Sequence, residues 1–355
     1  MAPESFVSAA VDGTAVTVTD ACPQSQWDRY VRAQTAATGY HLWGWRRVIE
    51  RAFGHRCVYL AAMHRDDVVG ILPLVVFRSP LFGRFAVSLP FLNYGGVVAD
   101  TEAAARALLE RATAIAREQG LSHVELRHQH AMFPELPSKR HKVGMQLALS
   151  DSHDALWQRL DRKVRNLVRK AEKANLTVIV GGAELISDFY GVFAANMRDL
   201  GTPVYSRRLF EAVLGEFGET ARVFVVYLGT QPVAASVTVE WRKSIEVPWA
   251  SSSREHRALS PNMLLYWAML RHAIDRHCRT FDFGRSTPNE GTFHFKRQWG
   301  AEPIPFAWEY KLLEGDAVPD QSPANPKFRL AIEMWKRLPL PVTTLLGPHI
   351  VRSIP

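Results

Sequence analysis

The run Phe281-Asp282-Phe283-Gly284-Arg285-Ser286, followed by Gly291-Thr292-Phe293-His294-Phe295-Lys296-Arg297-Gln298-Trp299-Gly300, concentrates unusual chemistry. It holds an apolar strand, the oppositely charged Asp282 and Arg285, a loop of small residues and a lysine set among aromatic rings. A plain core element would show steady periodicity instead. Lys296, beside Phe295 and one turn before Trp299, is expected at a strand's end and partly out of water. There a fixed positive charge can stabilise a developing oxyanion. The same residues also read as a strand edge whose lysine snorkels past two rings to water. Asp282 and Glu290 are candidate proton acceptors, and Asp282 with Arg285 reads equally well as an ion pair that fixes the loop.

The elements around this segment occur twice. A helical pattern from Trp43 to Phe53 ends at Gly54, followed by strand Cys57 to Met63, a polar turn and strand Val68 to Phe77. Leu209 to Phe217 ends at Gly218 and leads to Arg222 to Leu228, a turn, and Pro232 to Trp241. Phe53-Gly54 stands 164 positions before Phe217-Gly218, as Gly70 does before Ala234. Each half continues with a strand (Phe85 to Leu89; Ser244 to Trp249), a loop, a helix (Glu102 to Glu118; Asn262 to His277) and a closing strand (His123 to Arg127; Thr280 to Phe283). Apolar residues at helical spacing, such as Ala105, Leu108, Leu109, Ala112 and Ile115, mark the inner helix faces. The order predicts a mixed α/β (α+β) protein with two tandem domains, mostly antiparallel sheets and flanking helices. The expected divisions are residues 1–150, 151–312 and a Pro-rich, basic tail, 313–355.

Three segments could meet anionic ligands. Ser251-Ser252-Ser253-Arg254 leads through Arg257-Ala258-Leu259-Ser260-Pro261-Asn262 into the second long helix. Ser260 is placed to cap it, Pro261 to start it, and free N–H groups to face the loop with Arg257 and Asn262. Leu156 to Lys173 reads as one amphipathic helix whose outer surface carries Arg162, Arg165, Asn166, Arg169, Lys170 and Lys173. That surface is either a solvated face or a contact for RNA or a pyrophosphate. In the tail, Lys327 to Leu338 sets Phe328, Ala331, Met334, Trp335 and Leu338 against Lys327, Arg329, Lys336 and Arg337, with Pro339 and Pro341 ending the pattern. Such a helix can cover an apolar patch of its own domain or lie on an anionic membrane surface.

The 355 residues exceed one ordinary core, and 47% hydrophobic with 22% charged residues describe a folded, soluble chain. Lys plus Arg exceed Asp plus Glu by eight, which favours anionic partners without choosing among them. DNA is not expected among them. Cys22, Cys57 and Cys278 have neither disulfide nor metal-ligand spacing, and His128-Gln129-His130 lacks a third ligand nearby, so no metal is expected. The N-terminus carries no basic start before an apolar stretch, and no run of about 18 apolar residues occurs. A cytoplasmic protein is the expectation, peripheral at the inner membrane if the tail binds there.

Taken together, the duplicated plan, the loop and Phe295-Lys296-x-x-Trp299-Gly300 resemble the FemAB family of tandem GNAT-type acyl- and aminoacyltransferases. Leu72-Pro73-Leu74, Ser88-Leu89-Pro90-Phe91-Leu92-Asn93-Tyr94-Gly95-Gly96, Lys163-Val164-Arg165-Asn166, Gly201-Thr202-Pro203-Val204-Tyr205-Ser206 and Asp282-Phe283-Gly284-Arg285-Ser286 are similar to the branch associated with PEP-CTERM and exosortase exopolysaccharide loci. The resemblance covers about residues 26 to 312. It implies that an amine on a cell-envelope precursor attacks an activated acyl or aminoacyl ester, with Lys296 at the tetrahedral intermediate and Phe295 packed beside it. It implies an acceptor diphosphate held by Arg46 or Arg47 and Arg207 or Arg208, with Tyr205 alongside; Asp282, Arg285 and Trp299 complete the candidate acceptor site.

The chain departs from the pattern in two places. GNAT pyrophosphate loops read Arg/Gln-x-x-Gly-x-Gly/Ala, and both glycines are missing from Arg257 to Asn262, which hinders standard CoA binding. No coiled-coil insert for tRNA is present in the heptad pattern. The donor is acyl-CoA, an acyl carrier or aminoacyl-tRNA, none as a tightly bound cofactor. The acceptor is an anionic nucleotide- or lipid-linked sugar or peptide. Two rival readings remain: a CoA-dependent N-acetyltransferase of an amino sugar, and a non-enzymatic protein that binds envelope precursors or scaffolds their assembly.

Overall fold

The structure is a computed structural model that describes residues 16–79, 82–315, 317–319 and 326–355. The expectations for the N-terminal stretch up to residue 15 and for Pro323 lie outside the described residues, as do the side chains of Lys327, Phe328 and Arg329. Strands β1 (Thr17–Thr19), β2 (Arg56–His64), β3 (Asp67–Ser79), β4 (Gly83–Ser88), β5 (Val98–Ala99), β6 (His123–His128) and β7 (Ser138–Lys139) form one sheet with the late strand Ala307–Leu312. A second sheet contains β8 (Val143–Ala148), β9 (Leu176–Gly181), β10 (Ala221–Leu228), β11 (Gln231–Trp241), β12 (Ser244–Ser252), β13 (Thr280–Ser286) and β14 (Glu302–Pro305). Ala307–Leu312 is therefore β15, and the strand order is β1-β2-β3-β4-β6-β15-β7 in the first sheet and β14-β8-β13-β12-β11-β10-β9 in the second.

The chain accordingly divides into two compact units, the second running from His141 to Pro305 and again toward the C-terminus. These limits move the expected boundary at 150 and the assignment of residues up to 312. Strand β8 is antiparallel to β13 (Phe281 opposite Leu147), and β15 is antiparallel to β6 (Tyr310 opposite Glu125). Backbone pairing with a distant strand, invisible in local periodicity, decides which core each segment joins.

The duplication extends to irregularities. The β2–β3 hairpin shifts register between Ala62 and Met63, and the β10–β11 hairpin between Val226 and Tyr227. Val226 lies 164 positions after Ala62, the offset by which the two hairpins align in sequence. Bulges bend and twist a strand pair at a defined point, so each copy carries the same bend. Helix Glu102–Glu118, capped by the Thr101 hydroxyl accepting from the Ala104 N–H at 3.2 Å, buries Ala105, Leu108, Ala112 and Ile115 on the first sheet. In the second unit, helix Pro261–Asp275 buries Leu265, Met269 and Ile274 in a core shared with Phe281 and Phe283.

Three helical expectations change. Leu156 to Lys173 is two helices, His153–Arg159 and Arg162–Lys173, because Leu160 is extended and Asp161 accepts from the Lys163 N–H at 2.6 Å to cap the second. Phe293 to Lys296 lies on the short helix Gly291–Arg297, so Lys296 is not at a strand's end. In the tail, helix Pro326–Trp335 is followed by another, Leu340–Val351, with Pro341 in its first turn. Pro339 and Pro341 thus separate and start helices instead of ending the pattern, since proline needs no N–H partner there.

Candidate active site

In each unit a parallel strand pair begins and then parts. Strands β12 and β13 pair only from Ser244, Ile245 and Glu246 to Thr280, Phe281 and Asp282. On the other side, β12 shifts register against β11 between Val237 and Val239, leaving Val247 and Pro248 in the bulge. Proline lacks a ladder donor, so a bulge is the place in a central strand that accepts it. Strand β13 is also irregular against β8 between Asp282 and Arg285. Gly284 within that break has φ +75°, and its N–H is held by the Asp282 carboxylate at 2.7 Å.

At this break the Lys296 ammonium donates to the carbonyls of Gly284 and Arg285, at 3.1 and 2.8 Å. The short helix Gly291–Arg297 brings Lys296 back over the strand. Lys296 is only 7% exposed, so it does not snorkel to water. An ammonium has three donors, and two are used by these carbonyls. Burial pushes its pKa down to about 8. Asp282 and Glu246 act to raise it, and Arg285 lowers it further. The group is therefore a desolvated cation near neutral pH, and its charge is adjustable within the physiological range.

Aromatic packing joins the helix that carries this lysine to the strand whose carbonyls hold it. Tyr266 from helix Pro261–Asp275 stacks on Phe283 at 5.4 Å and meets Phe295 edge-on at 5.0 Å. Burial pushes the Tyr266 hydroxyl well above its ordinary pKa. Trp299 is buried, and its indole nitrogen has no hydrogen-bond partner among the described residues. Gln146 on β8 donates to Asp282 at 2.9 Å, which completes a buried carboxylate near the lysine. Lys142, just before β8, donates to the Thr287 hydroxyl. Burial, reinforced by Arg285, pushes its pKa down against Glu290.

Two clefts open in the second unit. One of about 690 Å³ is lined by Arg159, Asp161, Lys163, Arg297 and Trp299, among others, and by Phe295. The other, about 830 Å³, runs past Asn196, Arg198, Ser253, Arg254 and Arg257. It lies beside the expected anion loop. There Pro261 is the first helical residue, as predicted, while Ser260 adopts a left-handed φ of +60° and makes no side-chain cap bond. Asn262 lies in the helix's first turn and Arg257 in the preceding 3-10 turn.

The remaining candidates are placed as follows. In the first unit, Arg46 pairs with Glu50 at 3.1 Å and stands 4.9 Å from the Trp43 ring, while Arg47 donates to Gln24 at 2.7 Å. In the second, Arg207 pairs with Glu211 at 2.9 Å, the Arg208 N–H is capped by Ser206, and the Tyr205 carbonyl accepts from Tyr190 at 3.0 Å. Asp282 and Arg285 lie on the strand whose carbonyls hold Lys296, and Phe295 and Trp299 lie beside Lys296 in sequence; Arg257 is in the 3-10 turn before helix Pro261–Asp275 and Asn262 in that helix's first turn. Lys142, Gln146, Tyr266 and Arg198 were missed, because each comes from an element distant in sequence whose pairing alone brings it near. His128 pairs with the Glu309 carboxylate at 2.6 Å, and among the described residues no group of three or more His, Cys, Asp or Glu stands close enough to hold a metal ion.

Hairpin, bulged strand, splayed parallel pair and intervening helix make up a GNAT-like fold. In agreement, residues 158–297 match the family described as an acetyltransferase (GNAT) domain. Among solved structures, the chain is similar to FemX, with 14% identity and a TM-score of 0.63 over 82% of this chain and 97% of that one. It is similar to the C-terminal domain of a putative lysylphosphatidylglycerol synthetase from Agrobacterium fabrum (11% identity, TM-score 0.56, 82% and 92% covered). A tandem GNAT protein from the clavulanic acid biosynthesis pathway also matches, with 12% identity, a TM-score of 0.53, and 85% and 99% of the two chains covered. No curated protein matches the sequence.

Proposed function

We propose that this chain is a FemAB-like acyl- or aminoacyltransferase that forms an amide on an amino group of an anionic cell-envelope precursor, of exopolysaccharide or peptidoglycan, in the cytoplasm. The observation that carries the reading is the buried Lys296 ammonium, held by two backbone carbonyls at a splayed strand end with donor capacity remaining. In the proposed step the acceptor amine forms a bond to the acyl carbonyl carbon. The bond from that carbon to the donor's oxygen or sulfur breaks, and the proton lost by the amine leaves with that atom. Lys296 stabilises the oxyanion formed between the two events, an effect suited to a water-poor site.

Phe295 and Tyr266 hold the lysine's position. Arg46, Arg47, Tyr205, Arg207, Arg208, Asp282, Arg285 and Trp299 are assigned to the acceptor, and Arg257, Ser260 and Asn262 to the donor's phosphates. Likeness to FemX and to a putative lysylphosphatidylglycerol synthetase supports aminoacyl transfer, and the resemblance to the PEP-CTERM-associated branch supports a polysaccharide amine as acceptor. Mass spectrometry of envelope precursors from cells with and without the protein tests the reading. Loss of one acyl or aminoacyl mass from an amino sugar or peptide amine is expected in the deletion; an unchanged precursor set contradicts it.

The 830 Å³ cleft with Arg198, Arg254 and Arg257 supports a second reading, CoA as donor. Against it stand the proline without an N–H at the helix start and a side chain at Ser260. Calorimetry with CoA separates them: saturable binding weakened about fivefold by Arg257→Ala supports CoA, and no saturable binding excludes it as the donor.

A further inference from the structure

We infer that the C-terminal helix pair of the second unit docks on an anionic lipid surface. Helix Leu340–Val351 packs on helix Ile186–Leu200, and Gly347 sits where a Cβ would come within 2.8 Å of the Val204 backbone. Helix Pro326–Trp335 approaches the same end, with Ile332 against Gly201 and Trp335 buried. With those residues turned inward, Leu330 is 73%, Met334 62% and Leu345 69% exposed, and Leu346 and Leu200 are also open. These five are the majority of the seven large apolar residues exposed among the described residues. Scattered exposed leucines are ordinary, but a group on three touching helices indicates a partner.

Charge selects that partner. Residues 326–355 contain Lys327, Arg329, Lys336, Arg337 and Arg352 against the single acid Glu333. Two copies of this chain meeting through the face would oppose like charges, which disfavours self-association. Exposed apolar side chains on a segment of net positive charge suit the boundary between lipid headgroups and acyl chains. No helix among the described residues is long and apolar enough to cross a membrane, so the pair would lie on the surface.

The test is co-sedimentation of the full chain with phosphatidylcholine vesicles, with and without phosphatidylglycerol, at low and raised salt. The chain is expected to pellet with the anionic vesicles only, less at raised salt. Leu330→Glu with Met334→Glu, and separately Lys336→Glu with Arg337→Glu, should each weaken binding about tenfold or more. Thermal melting checks that these surface variants remain folded. Equal binding to both vesicle types, variants that bind like the wild type, or a dimer that the variants dissolve would overturn the inference. Amide formation on soluble substrates is expected to be unchanged, so this test and that of the catalytic reading fail separately.

Discussion

At the parting strands the two units solve one problem in opposite ways. In the first, Arg127 is the fifth residue of β6, and its carbonyl accepts from the Gly96 N–H at 3.0 Å while the Ser88 hydroxyl takes its N–H at 2.8 Å. In the second, the fifth residue of β13 is Gly284, whose carbonyl is satisfied by a side-chain ammonium. Buried backbone groups must find partners, and here one unit uses its own loop while the other uses a cation.

The loop of the first unit is locked by further polar contacts. His128 Nδ1 donates to Glu309 at 2.6 Å and Nε2 accepts from the Val97 N–H at 2.9 Å. Burial opposes charge on Glu309, yet His128 and the N–H groups of Met132 and Phe133 hold its carboxyl below the ordinary value. Arg127 pairs with Glu125 at 2.7 Å and stands 4.3 Å from the Trp308 ring. Within this unit, Leu89 to Val98 is buried throughout. One copy thus spends its strand opening on stability, and the other retains a donor and neighbouring clefts for ligands.

The contrast is most strongly challenged by Lys296→Met. Turnover should fall about 100-fold or more, the scale of losing one oxyanion donor. Removing a desolvated charge offsets the loss of two carbonyl partners, so stability should change by only about 1 kcal/mol, read by urea unfolding. In the other unit, Gly96→Ala places a Cβ 2.0 Å from the His128 ring and should cost about 3 kcal/mol of stability by the same assay. Turnover of the folded fraction should stay within about threefold, since the change leaves Lys296 untouched.

Acid should find the first unit next. His41 is buried, with Nδ1 accepting from the Thr38 N–H at 3.0 Å and Nε2 bonded to the Gly96 carbonyl at 3.1 Å. Burial pushes its pKa down to about 4, against those backbone bonds. The unfolded chain therefore binds more protons between about 6.5 and 4, and stability is lost as pH falls through that window, by about 3 kcal/mol. His41→Gln should flatten this part of a pH–stability curve. The smallest effect is expected from Arg257→Ala, an exposed side chain whose loss should raise the donor KM about fivefold and leave the melting midpoint unchanged.

Much of the fold was legible because hairpins and amphipathic helices are local. The repeat at Gly54 and Gly218, the helix at Glu102 and the start at Pro261 follow from turn residues and periodicity. What local pattern could not hold was the exchange of β8 and β15 between sheets, since strands are assigned by distant partners. Lys296 was legible by type, its aromatic neighbours marking a desolvated cation. Its helix was hidden, because Gly291-Thr292 and the rings of Phe293, His294 and Phe295 have weak helical propensity, and the bonds from Lys296 to the Gly284 and Arg285 carbonyls come from a separate strand.

The central claim is that the second unit works through the positive charge of Lys296, and the pH dependence of kcat/KM tests it most directly. The rate should decline as pH rises through about 8, where the buried ammonium loses its proton. Over the window from about 8 to the ordinary lysine value, stability should rise with pH in the wild type and not in Lys296→Met, because the unfolded chain there holds the extra proton. A rate that instead climbs through pH 8, and does so only while Lys296 is present, would make the lysine a proton acceptor and contradict the account.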